Sequence, residues 1–141
     1  MLEIGKDLAQ AIRDEGEKVY PNECCGFVLG TFHEDGRRKT GDVFPIDNAR
    51  EAEEQYHRFK IEPEDFIRVE KEARARNLDV IGFYHSHPDH SARPSDYDRQ
   101  HALPFYSYLI VSVEGGKAHG LTSWELAADR VAFMEEKIIW Q

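Results

Sequence analysis

Residues 78–84, Leu-Asp-Val-Ile-Gly-Phe-Tyr, form an apolar run of strand length in which the usual alternation of apolar and polar positions is missing. A strand with one wet face alternates, whereas a strand covered on both faces reads as a continuous hydrophobic run. The run therefore predicts a strand at the centre of a sheet. The most polar and chemically loaded stretch of the chain follows it without a gap.

The other elements are read around this strand. Leu8, Ile12 and Val19 recur at helical spacing through a charged segment that stops at Tyr20-Pro21, which predicts an amphipathic first helix. Residues 24–31 (CCGFVLGT) form a short apolar run bounded by turn residues, the pattern of a buried strand. A polar turn at 34–38 leads to a second strand around 42–46, an acidic exposed loop at 48–55 and a short strand at 56–61. Pro63 opens a second helix at a position where its missing N–H costs nothing, with Phe66, Val69 and Ala73 on one face, ending near Asn77. Beyond the central strand come a loop at 86–94, a short helix at 95–103 and a buried strand at 106–113. Glu114-Gly115-Gly116 makes a tight turn into a strand at 117–126, and the last ten residues fit either strand or helix.

At 141 residues the chain has the size of one compact domain, 1–141, which buries roughly two thirds of its unfolded surface. Its 27 acidic and 18 basic side chains leave a formal net charge of -9, which argues against a nucleic-acid partner, since phosphate binding rests on clustered Lys and Arg. No apolar run approaches the roughly 20 residues needed to span a bilayer. The N-terminal segment mixes both charges and lacks the layout of a secretory signal, so a cytoplasmic location is expected. Cys24 and Cys25 are adjacent, and neighbours on a strand point to opposite faces, which disfavours a disulfide between them; two packed, reduced thiols are expected.

Residues 84–98, YHSHPDHSARPSDYD, place three His and three Asp within fifteen positions directly after the central strand. On a strand end His85 and His87 share a face, so both imidazoles can converge on one ion. Nitrogen and carboxylate ligands with a position left open are what a catalytic zinc needs. Asp98 falls one turn into the short helix, and a chain reversal through the proline-rich loop could return it to the histidine pair. Ser95 and Asp98 equally fit a capping box at the start of that helix. The two roles are compatible, because a capping arrangement would hold Asp98 in place. The string His85-Ser86-His87-Pro88-Asp89-His90 also matches the H-x-H-x-D-H pattern of metallo-β-lactamase-like hydrolases. That fold needs a longer chain with more ligands in its later half, and only His101 and His119 remain after His90.

The full spacing, His85-Ser86-His87-Pro88, then Ser95, then Asp98, resembles the signature of the JAMM (MPN+) metallopeptidases, the Mov34/MPN/PAD-1 group. Pro21-Asn22-Glu23-Cys24-Cys25-Gly26-Phe27 is similar to the segment that carries the family's upstream glutamate in its small prokaryotic members. The likeness runs on through Asn48, 58–61, 82–84, 104–113 and 121–126. The resemblance implies an α/β (α+β) fold of the MPN/JAMM, cytidine-deaminase-like kind: a mixed, curved β-sheet flanked by helices. It implies one Zn2+ per chain held by His85, His87 and Asp98 with water as fourth ligand, Glu23 as general base, and Ser95 as a hydrogen-bond donor to the oxyanion. It further implies a zinc peptidase or isopeptidase acting after the C-terminal Gly-Gly of a ubiquitin-like protein. The short segments 47–56 and 99–105 leave little space for the insertions of linkage-specific deubiquitinases, which favours a ubiquitin-like sulfur carrier as partner. A non-catalytic MPN scaffold and a zinc hydrolase of a small amide are the alternatives. The oligomeric state is not legible in the sequence.

Overall fold

The computed structural model describes residues 1–48 and 61–141. The predicted strand at 56–61, apart from Ile61, and most of the predicted loop at 48–55 lie outside the described residues. Among the described residues eight strands form one mixed sheet in the order β7-β6-β5-β4-β2-β3-β1-β8. They are β1 (Leu2–Ile4), β2 (Cys25–Phe32), β3 (Arg38–Ile46), β4 (Asp79–Pro88), β5 (Ser107–Glu114), β6 (Lys117–Leu126), β7 (Phe133–Glu136) and β8 (Ile138–Trp140). The helices are α1 (Lys6–Val19), α2 (Pro63–Ala75) and α3 (Asp96–His101). Only Lys137 separates β7 from β8, yet these strands occupy opposite edges of the sheet, so the sheet curves round on itself.

The 78–84 run is the core of β4, which sits mid-sheet between antiparallel β2 and parallel β5. Its lack of alternation has the expected cause. Ile81 and Tyr84 join Ala9 and Ile12 of α1 in one apolar cluster, while Val80 and Phe83 join Val69 and Ala73 of α2 in another on the opposite face. A bulge interrupts the β2–β4 ladder: Val28 pairs with Gly82 and Leu29 with Val80, leaving Ile81 as an extra residue. A bulge of this kind sets two successive residues against one and resets which side chains face which layer.

Several boundaries differ from the sequence expectations. β4 runs through Pro88, so His85, Ser86 and His87 lie within the strand and the 86–94 loop begins later than expected. β1 was not foreseen; three residues are too short for a periodic signal, although Leu2 and Ile4 are fully buried. The polar turn expected to include Arg38 ends before it, and Arg38 opens β3 buried in a polar network. Its guanidinium donates to Ser107 Oγ at 2.9 Å, the Phe105 carbonyl at 2.7 Å and Glu136 at 3.2 Å, and also contacts Glu125. The last ten residues are strand, with β8 pairing parallel to β1. The Glu114-Gly115-Gly116 turn forms as expected, with φ of 55° and 86° at its two glycines, a region open to glycine and strained for other residues. Among the described residues no helix is long and apolar enough to cross a membrane.

Candidate metal centre

The site lies where β4 leaves the sheet. Past the bulge, strand alternation puts His85 and His87 on the α2 face and Ser86 on the α1 face. On β2, Cys25 pairs with His85, and Glu23, two residues earlier, takes the same face as the histidines. Cys24 faces the other way, into the α1 cluster. Glu23, His85, His87 and Asp98 are all buried.

Three atoms form a compact triangle. His85 Nε2 and His87 Nε2 are 3.1 Å apart, Asp98 Oδ2 is 3.1 Å from His87 Nε2, and Asp98 Oδ2 is 3.3 Å from His85 Nε2. Ligands around a tetrahedral zinc at about 2.0–2.1 Å stand about 3.3–3.4 Å from one another, so the triangle has nearly the dimensions of one face of such a site. The tautomer agrees with this. His87 Nδ1 is 3.0 Å from the Ser91 carbonyl oxygen, which can only accept, so the neutral ring carries its proton on Nδ1 and its lone pair on Nε2. A lone pair facing a carboxylate oxygen at this distance repels unless a positive charge sits between them. A carboxylate oxygen of Glu23 completes a group with the two histidines whose ligand atoms all lie within 4.8 Å of one another. These residues could hold a metal ion.

Asp98 is delivered by α3. Ser95 is the N-cap: its Oγ accepts from Asp98 N–H at 3.1 Å, and Asp98 Oδ2 accepts from Ser95 N–H at 2.8 Å. The capping box and the convergence on the histidines are thus one arrangement, and the same carboxylate oxygen serves both. Because Ser95 Oγ accepts from the helix, its own proton is left to donate outward, and the residue is exposed.

The electrostatics favour a cation. Burial alone would raise the Asp98 carboxyl, but His85 and His87 hold it well below the usual carboxylate range. Burial drives His85, fully enclosed, toward its neutral form against the pull of Asp98. For His87 burial acts in the same direction, but the hydrogen bond and charge of Asp98 outweigh it and the net shift is upward.

Asp89 stands apart from the cluster. Its carboxylate accepts from Tyr20 Oη at 2.7 Å and from Gly115 N–H at 2.8 Å, pinning the loop after β4 to the α1 terminus and the β5–β6 turn. His90 is exposed. The H-x-H-x-D-H reading therefore finds no shared focus here. Both cysteines are free and buried, as expected. Sequence reasoning overlooked Ser91, whose carbonyl orients His87; a backbone acceptor leaves no residue-type signal.

The sequence profile for prokaryotic homologues of the JAB domain matches residues 5–127. A desampylase from Haloferax volcanii is 35% identical over 96 residues, 67% of this chain and 66% of that protein. The tail tip assembly protein K of Escherichia phage N15 is 31% identical over 90 residues, 63% of this chain and 31% of its own length. The chain thus spans less than two thirds of either of these relatives. Among solved structures, a protein from Salinibacter ruber is 39% identical with a TM-score of 0.78, covering 100% of this chain and 92% of that one. A protein from Desulfitobacterium hafniense is 29% identical with a TM-score of 0.85, covering 100% and 93%. A JAB1/MPN domain protein from Archaeoglobus fulgidus shares the fold at 17% identity, with a TM-score of 0.60 over 99% and 98% of the two chains.

Proposed function

The chain belongs to the family of prokaryotic homologues of the JAB domain, and from that premise we propose that it is a zinc-dependent hydrolase. It cuts the peptide or isopeptide bond after the C-terminal Gly-Gly of a ubiquitin-like sulfur carrier protein. The observation that carries the reading is the triangle of His85 Nε2, His87 Nε2 and Asp98 Oδ2 with sides of 3.1, 3.1 and 3.3 Å. The desampylase among the relatives supports a substrate of the ubiquitin-like class.

His85, His87 and Asp98 would hold the ion. Zinc in such a site acidifies water from a pKa of 15.7 toward about 7 and polarises a carbonyl as a Lewis acid. The protein's own groups do the rest. Glu23, on the same face as the histidines, takes the proton of the attacking water and returns it to the leaving amine, the double role open to a carboxylate held beside both atoms. Ser95 Oγ–H donates to the oxyanion that develops on the carbonyl oxygen. Ser91, through its carbonyl, keeps His87 in the tautomer that presents Nε2, and the α3 capping box keeps Asp98 turned toward the pair. A Gly-Gly tail suits this site because it can lie extended and close to the backbone without side chains to accommodate.

The test is incubation of zinc-loaded protein with ubiquitin-like carriers that bear residues or an amine-linked group beyond Gly-Gly, read by intact mass. Release of a carrier ending in Gly-Gly is expected. Intact carriers after prolonged incubation with metal-replete protein would remove the proposal.

A further inference from the structure

The peptide unit between Glu23 and Cys24 is held at both of its polar ends by side chains from other segments. Its carbonyl, Glu23 O, accepts from Asn48 Nδ2 at 3.3 Å. Its N–H, on Cys24, donates to Ser86 Oγ at 2.8 Å in a buried contact. Ser86 then uses its own N–H to reach Cys24 O at 3.2 Å. Ser86 is fully buried, and it sits between His85 and His87 with its side chain on the opposite face of β4.

This arrangement has a geometric result. The regular β2–β4 ladder ends at the pair Cys25 and His85, and β2 begins at Cys25, so Glu23 lies outside the strand that would otherwise fix it. Pinning the C=O and N–H of one planar peptide fixes the rotation of that plane, and with it the direction in which the Glu23 Cα–Cβ bond leaves the backbone. A side-chain hydroxyl is needed at Ser86 because the acceptor must come from the face away from the metal centre. An apolar residue there would leave the buried Cys24 N–H without its partner.

We propose that Ser86 is a positioning residue for the general base: its hydroxyl, together with Asn48, aims the Glu23 carboxylate at the space in front of His85 and His87. The inference rests on the catalytic reading of Glu23 given above. It makes the residue between the two histidines the link that ties the base to the strand bearing the proposed ligands. Displacement of a reacting group by an ångström is enough to lose turnover while binding is retained.

The experiment compares wild type, Ser86→Ala, Ser86→Thr and Asn48→Ala in three readouts: zinc per chain, kcat and KM on a cleavable Gly-Gly carrier, and amide hydrogen exchange at Cys24. Ser86→Ala is expected to keep its zinc and its KM while kcat falls about 10- to 100-fold, the pattern of a misplaced catalytic group. Exchange at the Cys24 amide should accelerate. Ser86→Thr, which keeps the hydroxyl, should restore much of kcat, and Asn48→Ala should reproduce the kcat loss with zinc retained. Unchanged exchange at Cys24, unchanged kcat, or a loss of zinc in parallel with activity in Ser86→Ala would each overturn the positioning role. Should Ser86→Ala fail to fold, Asn48→Ala with unaltered kcat overturns it. Absence of turnover in zinc-loaded wild type is a different result: it sinks the hydrolase reading, while the exchange measurement still decides whether Ser86 holds the Glu23–Cys24 peptide.

Discussion

Ser95 carries two proposed duties that substitution can separate. Its Oγ caps α3 by accepting from Asp98 N–H at 3.1 Å, and its outward proton is the proposed donor to the oxyanion. Ser95→Ala removes both. Losing an N-cap side chain to alanine costs about 1 kcal/mol, while glycine at the same position costs only a few tenths. In a chain of this size, 1 kcal/mol corresponds to roughly 4 °C in Tm. Losing an oxyanion donor costs about 10²- to 10³-fold in kcat, and that loss is the same whether alanine or glycine replaces the serine. Asp98 keeps its hydrogen bond from the backbone N–H of residue 95 in both variants, so the metal centre should survive in both. Thermal melts should therefore rank wild type above Ser95→Gly above Ser95→Ala, while carrier cleavage should be equally poor in the two variants and zinc content unchanged. If activity instead follows stability, with glycine retaining much more turnover than alanine, Ser95 acts only through the helix and the donor role is refuted.

Glu23→Gln should bind zinc as wild type does, by elemental analysis, and lose turnover, because an amide cannot accept the water proton; retained activity would reassign the base. Asp98→Ala should lower zinc content well below one per chain after dialysis against a weak chelator, since it removes one vertex of the triangle and the group that opposes its positive charge. Gly26→Ala should cost about 1–3 kcal/mol in urea denaturation, because its Cβ would meet the ring of fully buried Tyr84 at 2.4 Å; a stability loss near zero would mean that β2 and β4 yield more easily than their packing implies. At alkaline pH, burial pushes Cys24 from 9.0 up to about 12 and Tyr108 from 10.0 up to about 12. The unfolded chain releases these protons first, so the folded state loses stability as pH rises from about 9 toward 12 and neither group affects it below that window. Urea midpoints at pH 8, 9.5 and 11 should fall in that order.

The elements that the sequence announced are those with a strong local signal. The 78–84 run, the periodicity of α1, Pro63 at the start of α2 and the double glycine at 115–116 each state a local physical preference, and each element formed where it was expected. The convergence of His85, His87 and Asp98 was legible for a related reason: two of them share one strand, and the third lies on the helix that the next capping signal opens. Glu23 was not legible by itself. Its place beside His85 and His87 depends on a pairing between β2 and β4 across about 60 residues of chain, and nothing local separates it from the other acids, so only a family resemblance singled it out. Arg38 was misjudged because its partners Ser107, Glu125 and Glu136 are likewise remote in sequence, and a charged residue beside a polar turn reads as exposed until they are in place.

The extra residue at Ile81 in β4 is a spare position in the strand. Val80 and Phe83 face α2 while Ile81 and Tyr84 face α1, so the bulge sets Ile81 and Gly82 together against Val28, and removing Ile81 would restore one-to-one pairing without turning any later position of β4. His85 and His87 would keep the α2 face, and Ser86 would stay toward α1. Deletion of Ile81 should therefore cost stability, through loss of a fully buried side chain, and leave zinc content as in wild type, whereas loss of either histidine should abolish zinc binding.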